Sequence, residues 1–208
     1  MTGVFEVAHP LIRHHLSRLR DKQTPPEEFR LLIGRLANLL VYEATKDLEL
    51  ADHTVETPLT TMVGQRLSGR IGLVPILRAG LGMVDSVLNL IPSAEVWHLG
   101  VYRDEKTAKP VEYYSRFPQS RPVDVGLVLD PMLATGGSAI AAVDILKRWG
   151  AAKIRYLGLI AAPERVRALS TAHPDVPIHL AAIDDHLNDK GYIVPGLGDA
   201  GDRQFGTG

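Results

Sequence analysis

The strongest constraint on the fold is a series of short, almost purely apolar runs that begins near Gly69. These runs alternate with segments of helical spacing, and they contain very few polar residues. Strands of that kind are buried on both faces, so the pattern predicts an α/β fold: a central, mostly parallel sheet flanked by helices. The predicted strands are residues 71–77, 96–101, 125–129, 154–161 and 178–183.

The first third of the chain is predicted to be mainly helical. Apolar residues recur with helical spacing in two stretches, 11–19 and 29–40, and the first should place Leu11 on its buried face. Between them, Thr24 can cap the second helix and Glu27 can close a capping box. These segments are expected to pack against a core or a second subunit.

Length and composition indicate one domain of 208 residues. We divide it into a largely helical part with a strand arm (1–68), an α/β core (69–183) and a C-terminal tail (184–208). A net charge of −1 gives no general attraction for nucleic acid or anionic membranes, and the absence of cysteine excludes thiolate chemistry. With no signal peptide or apolar span in view, a cytoplasmic protein is expected. Asp184 and Asp185 are expected to be a solvated strand end or a helix cap.

A strand, a glycine-bearing loop and a helix start follow one another in residues 125–150. The strand ends at a carboxylate, Asp130, and the helix is expected to begin near Ser138 and to end at the glycine that closes the segment. Gly136 and Gly137 can take positive φ, and the helix N-terminus offers unpaired N–H donors to an anion. Because no lysine follows the glycines, a phosphate monoester is favoured over a nucleoside triphosphate. An ordinary strand-to-helix turn is the alternative.

Residues 128–138 resemble the motif that binds phosphoribosyl pyrophosphate (PRPP) in the type I phosphoribosyltransferases, specifically in the uracil phosphoribosyltransferase branch. Most of that superfamily has two adjacent acids where this chain has Asp130-Pro131, which fits the uracil branch and weakens the case for direct ligation of Mg²⁺. The resemblance implies that Asp130 orients the ribose hydroxyls and that the loop anchors the 5-phosphate. The residues it assigns to PRPP here are Asp130, Pro131, Met132, Leu133, Ala134, Thr135, Gly136, Gly137 and Ser138.

Two arginines extend the resemblance to the diphosphate. Arg78 lies in a corner of small residues, 73–82, which resembles the pyrophosphate loop of the family. Arg103 matches the family position that reaches the PRPP diphosphate, at the start of a charged segment. Guanidinium groups suit such an anion because they donate in a planar fork. A surface arginine beside a turn is the alternative for Arg78.

The C-terminal tail resembles the uracil-binding loop of the family. Residues 196–201 also match the dinucleotide fingerprint, but we expect no helix to follow them and reject that interpretation. By resemblance, main-chain groups of Ile193, Gly198, Asp199 and Ala200 recognise the base. Uracil has an acceptor–donor–acceptor edge, whereas cytosine would leave buried groups unpaired. Asp199 is also implied to face PRPP through a metal-bound water.

The resemblance therefore implies an enzyme that joins uracil to the ribose 5-phosphate of PRPP, giving UMP and diphosphate, with Asp130, Arg78, Arg103 and Asp199 as its catalytic residues. It implies Mg²⁺ held through PRPP and water, a homodimer or homotetramer, and GTP as an effector in some members. Two alternatives stay open: a phosphoribosyltransferase for another base, and an RNA-binding regulator of pyrimidine genes on the same fold. The regulator would need a basic face or stacking aromatics, which the net charge does not favour.

Overall fold

The computed structural model describes residues 3–103, 110–115, 121–134 and 136–208. In chain order its elements are β1 (Val4–Glu6), α1 (Pro10–Arg20), α2 (Pro26–Ala44), β2 (Leu50–Glu56), β3 (Thr61–Leu67), β4 (Ile71–Pro75), α3 (Leu81–Leu90), β5 (Glu95–Val96), β6 (Leu99–Arg103), β7 (Pro110–Ser115), β8 (Val125–Leu129), β9 (Met132–Leu133), α4 (Gly137–Trp149), β10 (Lys153–Ala161), α5 (Pro163–Ala172), β11 (Ile178–Ile183), β12 (His186–Leu187), β13 (Ile193–Val194) and α6 (Ala200–Phe205).

The core of the fold is a parallel sheet in the order β1-β11-β10-β8-β4-β5, with β9 paired to the end of β10. Every residue of β4 and β8 is buried, and so is all of β10 except Lys153. This confirms the predicted parallel sheet of doubly covered strands. The predicted run 96–101 is split into β5 and β6, and β6 pairs with β7 instead of joining the sheet along its length.

Helices cover both faces of the sheet because side chains alternate along each strand. Leu127 and Leu129 pack in a cluster with α1, α2 and α3, whereas Val128 packs with α4 and α5 on the other face. The strands thereby bury apolar side chains on both sides at once. Because the strands are parallel, their carboxyl ends all lie at the same edge of the sheet.

The two N-terminal helices are confirmed, but two details predicted for them are wrong. Leu11 is half exposed, so the buried face of α1 is formed by Ile12, Leu16 and Leu19. Thr24 does not cap α2, whose N-cap is Pro25 and has no side-chain bond. The Thr24 hydroxyl instead donates to the Arg18 carbonyl at 2.6 Å, at the end of α1. The hydroxyl thus stabilises the turn between the helices, and the capping box does not form.

Residues between α2 and the sheet form an exposed antiparallel hairpin of β2 and β3. Among the helices that the structure describes, none has the length and apolar character needed to span a membrane.

Asp184 anchors the C-terminal tail, which corrects the prediction of a solvated or helix-capping residue. Its side chain is only 4% exposed and pairs with Arg20, whose Nη1 lies 2.7 Å from Oδ2. The same carboxylate accepts the Gly196 N–H at 2.9 Å, and Arg20 donates to the Gly196 carbonyl at 2.7 Å. One ion pair therefore fixes α1, the end of β11 and the tail to one another. The adjacent Asp185 is exposed, as predicted for a solvated strand end.

We expect Asp184→Ala to lower the free energy of unfolding by ~3 kcal/mol, because it leaves the Arg20 guanidinium without its buried partner. Asp185→Ala is the matched control and should change stability by less than ~0.5 kcal/mol, since that side chain is exposed. Urea denaturation of the two variants and the parent measures both values. Equal losses from the two substitutions would contradict the anchoring role of Asp184.

Candidate functional site

The start of α4 borders a pocket. Gly136 has a φ of 70°, in the left-handed region that favours glycine, and α4 begins at Gly137 with no side-chain cap among the described residues. Among the described residues, the first bond of the helix runs from the Ile140 N–H to the Gly136 carbonyl, at 2.9 Å. The earlier amides have no partner inside the helix, and Gly136, Ser138 and Ala139 line the pocket. Gly137, for which positive φ was also considered, is simply the first helical residue.

Asp130 lies directly after β8 and lines the same pocket. Burial raises the pKa of its carboxyl to about 7. The Met132 N–H, which donates to the carboxylate at 3.4 Å, and the nearby Tyr156 hydroxyl oppose this rise without cancelling it. A carboxyl that lines a pocket and has a pKa close to neutral is a common feature of functional sites.

Arg78 approaches the pocket from the neighbouring strand, β4. Its loop is held against the sheet edge by two bonds of 3.0 Å, from the Ile76 N–H to the Leu129 carbonyl and from the Leu77 N–H to the Leu99 carbonyl. A side chain at Gly80 would clash with the Leu129 carbonyl, so the corner requires glycine there. The Arg78 side chain is 59% exposed, and its Nη2 lies 3.0 Å from Oδ1 of Asp202.

The tail forms an ordered wall of the pocket. Asp199 caps α6 by accepting the Asp202 N–H at 2.9 Å, and Arg203 donates to the carbonyls of Leu19, Asp21 and Leu197. The expectation that no helix follows residues 196–201 is therefore wrong. The fingerprint still does not form a dinucleotide site, because β13 pairs antiparallel with β12 and belongs to no strand–helix–strand unit.

These elements enclose a cavity of about 390 Å³, a size typical of small-molecule sites. Of the residues singled out from the sequence, those that line it are Arg78, Asp130, Met132, Ala134, Gly136, Ser138, Ile193, Gly198 and Asp199. Four others are not among the lining residues: Pro131, Leu133, Gly137 and Ala200. Thr135 falls outside the described residues, and so does the side chain of Arg103, whose backbone ends β6.

Sequence analysis missed a group of lining residues on the turn between β12 and β13. Lys190, Gly191 and Tyr192 all line the cavity. The Asn188 carboxamide oxygen organises this turn by accepting the N–H groups of Lys190 and Tyr192, at 3.0 and 2.9 Å. An Asn followed by Asp-Lys-Gly is a turn signal that could have placed these residues at the site.

Comparisons with known proteins agree with this geometry. A family model described as uracil phosphoribosyltransferase matches residues 6–207. A Roseiflexus castenholzii protein named uracil phosphoribosyltransferase is 64% identical over 208 residues, with 100% of both chains covered. A solved structure from Aquifex aeolicus has a TM-score of 0.93 at 38% identity and 98% coverage of each chain. An adenine phosphoribosyl transferase from Trypanosoma brucei has a TM-score of 0.60 at 12% identity, covering 96% of this chain and 89% of its own, which shows a shared fold.

We expect Asp130→Asn to stabilise the protein at pH 8 but not at pH 4. With a folded pKa of about 7 against an ordinary 3.8, the carboxyl loses its proton more easily when the chain is unfolded. Its contribution to the free energy of unfolding therefore falls as pH rises from about 4 to about 7 and is constant above that.

A difference of about 3 pKa units corresponds to ~4 kcal/mol, and we expect ~2 kcal/mol because the side chain is partly open to the pocket. Urea denaturation of the parent and the variant at both pH values measures the effect. A variant that is equally stable or less stable than the parent at pH 8 would contradict the perturbed carboxyl.

Proposed function

The chain belongs to the uracil phosphoribosyltransferase family, and from this premise we propose that it transfers the ribose 5-phosphate of PRPP to uracil, giving UMP and diphosphate. The fold agrees, since it is a central parallel sheet flanked by helices like that of type I phosphoribosyltransferases. The enzyme class is that of the pentosyltransferases. The sequence-derived roles of individual residues are part of the proposal.

One observation carries the proposal: the amide-bearing loop, a carboxylate and an arginine come from adjacent segments and meet at one pocket. The start of α4 supplies amides for the 5-phosphate, and Asp130, at the end of β8, supplies an acceptor for the ribose hydroxyls. Arg78 follows β4, which pairs with β8, and supplies a cation for the diphosphate. Phosphate, sugar and diphosphate are joined in PRPP in this same order.

The tail supplies the base-recognition wall. Ile193, Gly198 and Asp199 line the cavity, and Ala200, the next residue, is fully buried. We assign the uracil edge to main-chain groups of these residues, because backbone N–H and C=O groups held in an ordered loop match an acceptor–donor–acceptor edge at low entropic cost. A base with a different edge would leave buried groups without partners, which is the basis of discrimination.

In the proposed reaction the bond between ribose C1 and the diphosphate oxygen breaks, and its electron pair leaves with the diphosphate. A bond forms between C1 and N1 of uracil, and the N1 proton is lost to solvent. The residues mainly position the reactants and stabilise charge. Arg78, together with Arg103 as the family position implies, stabilises the departing anion, and Asp130 holds the sugar as positive charge develops on it.

The carboxylates of the pocket fit the Mg²⁺ that we propose as cofactor. No cluster of three or more His, Cys, Asp or Glu that could bind a metal occurs in the described parts of the chain. Two carboxylates, Asp130 and Asp199, line the cavity. Such a pair suits an ion that takes most of its oxygen ligands from substrate and water. When bound, Mg²⁺ would neutralise charge on the diphosphate, with Asp199 reaching it through water.

We also propose that the chain acts as a homodimer or homotetramer. The hairpin of β2 and β3 exposes a set of apolar side chains, which are Leu50, Val55, Leu59, Met62, Val63 and Leu67. Exposed apolar patches commonly mark contact surfaces between proteins. Sedimentation equilibrium tests this proposal. GTP as an effector rests on the resemblance alone, and a cytoplasmic location stays the expectation drawn from the sequence.

The direct test of the function is formation of UMP from uracil and PRPP, measured with and without Mg²⁺ and with GTP added. Parallel reactions with cytosine, hypoxanthine and orotate test the proposed base, and titration with RNA tests the regulator alternative. We expect turnover with uracil and Mg²⁺. No turnover, or a preference for another base, would contradict the proposal.

We expect Arg78→Ala to weaken inhibition by pyrophosphate by about 10- to 100-fold, as for loss of a charged hydrogen bond. Arg167→Ala is the control, since Arg167 is an exposed arginine of α5 that does not line the cavity. Product-inhibition kinetics with PRPP as the varied substrate give both values. Unchanged inhibition in Arg78→Ala would contradict the assignment of Arg78 to the diphosphate.

A further inference from the structure

The guanidinium proposed to hold the diphosphate is already paired with a carboxylate of the protein. Nη2 of Arg78 lies 3.0 Å from Oδ1 of Asp202, which is 124 residues away in sequence, in the first turn of α6. Arg78 lines the cavity, and so do Asp199 and Gly201, which come just before Asp202. The pair therefore joins the loop after β4 to the tail beside the cavity.

Asp202 is fixed in place, while Arg78 is free to change partners. The main chain of Asp202 is held by the Asp199 carboxylate and by the N–H groups of Gly206 and Thr207. Its carboxylate also accepts the Thr207 hydroxyl at 2.7 Å. The Arg78 side chain, by contrast, is 59% exposed, so its guanidinium has room to turn from Asp202 to an anion in the pocket.

A second contact ties α6 to the loop that carries Arg78. The fully buried Gln204 donates from Nε2 to the carbonyl of Ala79 at 2.9 Å, and Arg30 donates to the Gln204 carbonyl at 2.6 Å. Because α6 is held against the loop in this way, the distance between Asp202 and Arg78 is set by the fold. The fold thus keeps the two residues close enough for their ion pair to form.

We propose that Asp202 is a positioning residue that holds Arg78 at the pocket when no diphosphate is bound and competes with diphosphate for the guanidinium. The inference rests on the proposed function, in which Arg78 binds the diphosphate. Asp202 then keeps a long, exposed side chain ready for the donor. The ion pair between Asp202 and Arg78 forms again as pyrophosphate leaves, and this competition favours release of the product.

The balance of charges decides which anion wins. Exposed ion pairs are weak, because water and salt screen them. Diphosphate carries more negative charge than one carboxylate, so it displaces Asp202 at a small cost. The hydroxyl of Thr207 and the guanidinium of Arg78 both lower the pKa of Asp202, so the competing carboxylate stays charged near neutral pH.

The experiment is inhibition by pyrophosphate, with PRPP varied at fixed uracil and low ionic strength, in Asp202→Asn and Asp202→Ser. Both substitutions remove the charge while the main-chain contacts of α6 remain. We expect inhibition to become tighter by about two- to fivefold, as for loss of an exposed ion pair, and the gain to shrink at high salt. Damage to the fold would weaken pyrophosphate binding, so a tighter inhibition constant separates competition from a structural role.

Two controls complete the test. Asp175→Asn breaks an ion pair of similar kind, with Lys147 at 2.7 Å near the opposite end of α4, and should leave inhibition unchanged. In an Arg78→Ala background, Asp202→Asn should have no further effect. Unchanged or weaker inhibition in both Asp202 variants would overturn the proposal, and so would equal tightening in the Arg78→Ala background. If Arg78→Ala alone leaves inhibition by pyrophosphate unchanged, the assignment of Arg78 to the diphosphate is also contradicted.

Discussion

The site depends on the parallel pairing of β8 with β4 on one side and β10 on the other. This ladder is buried on both faces, and it places the carboxyl ends of the strands at a single edge of the sheet. Asp130 and the start of α4 follow from β8, and Arg78 follows from β4. No single loop holds all the groups that the proposed donor needs. The sheet brings them together.

The buried carboxyl of Asp130 at this edge has a cost in stability. The end of β8 is surrounded by protein, so burial raises the pKa of Asp130 to about 7. The folded protein therefore destabilises the charged form of this carboxyl relative to the unfolded chain. Active sites commonly keep such groups because chemistry requires them.

The ion pair of Arg20 with Asp184, by contrast, stabilises the fold. It has no place in the proposed reaction and fixes the tail, to which we assign recognition of the base.

Features of the fold that depend on local sequence could be predicted, whereas contacts between segments far apart in the sequence could not. Buried strands lack polar residues, so β8 and β11 were predicted with their observed bounds, and Gly150 ends α4 with a φ of 98° as expected. Thr24 was misassigned because a carbonyl of the previous helix competes for its hydroxyl. The pairing of Arg78 with Asp202 is invisible in the sequence, since 124 residues separate the two side chains.

The central claim is that amides at the start of α4 hold a sugar phosphate while Asp130 faces the hydroxyls of the same sugar. A crystal structure of the protein with ribose 5-phosphate tests this most directly. We expect phosphate oxygens ~3 Å from the amides of residues 136–139, and the ribose hydroxyls within hydrogen-bond distance of the Asp130 carboxylate. Ribose 5-phosphate bound at another place, with this loop free of ligand, would contradict the account.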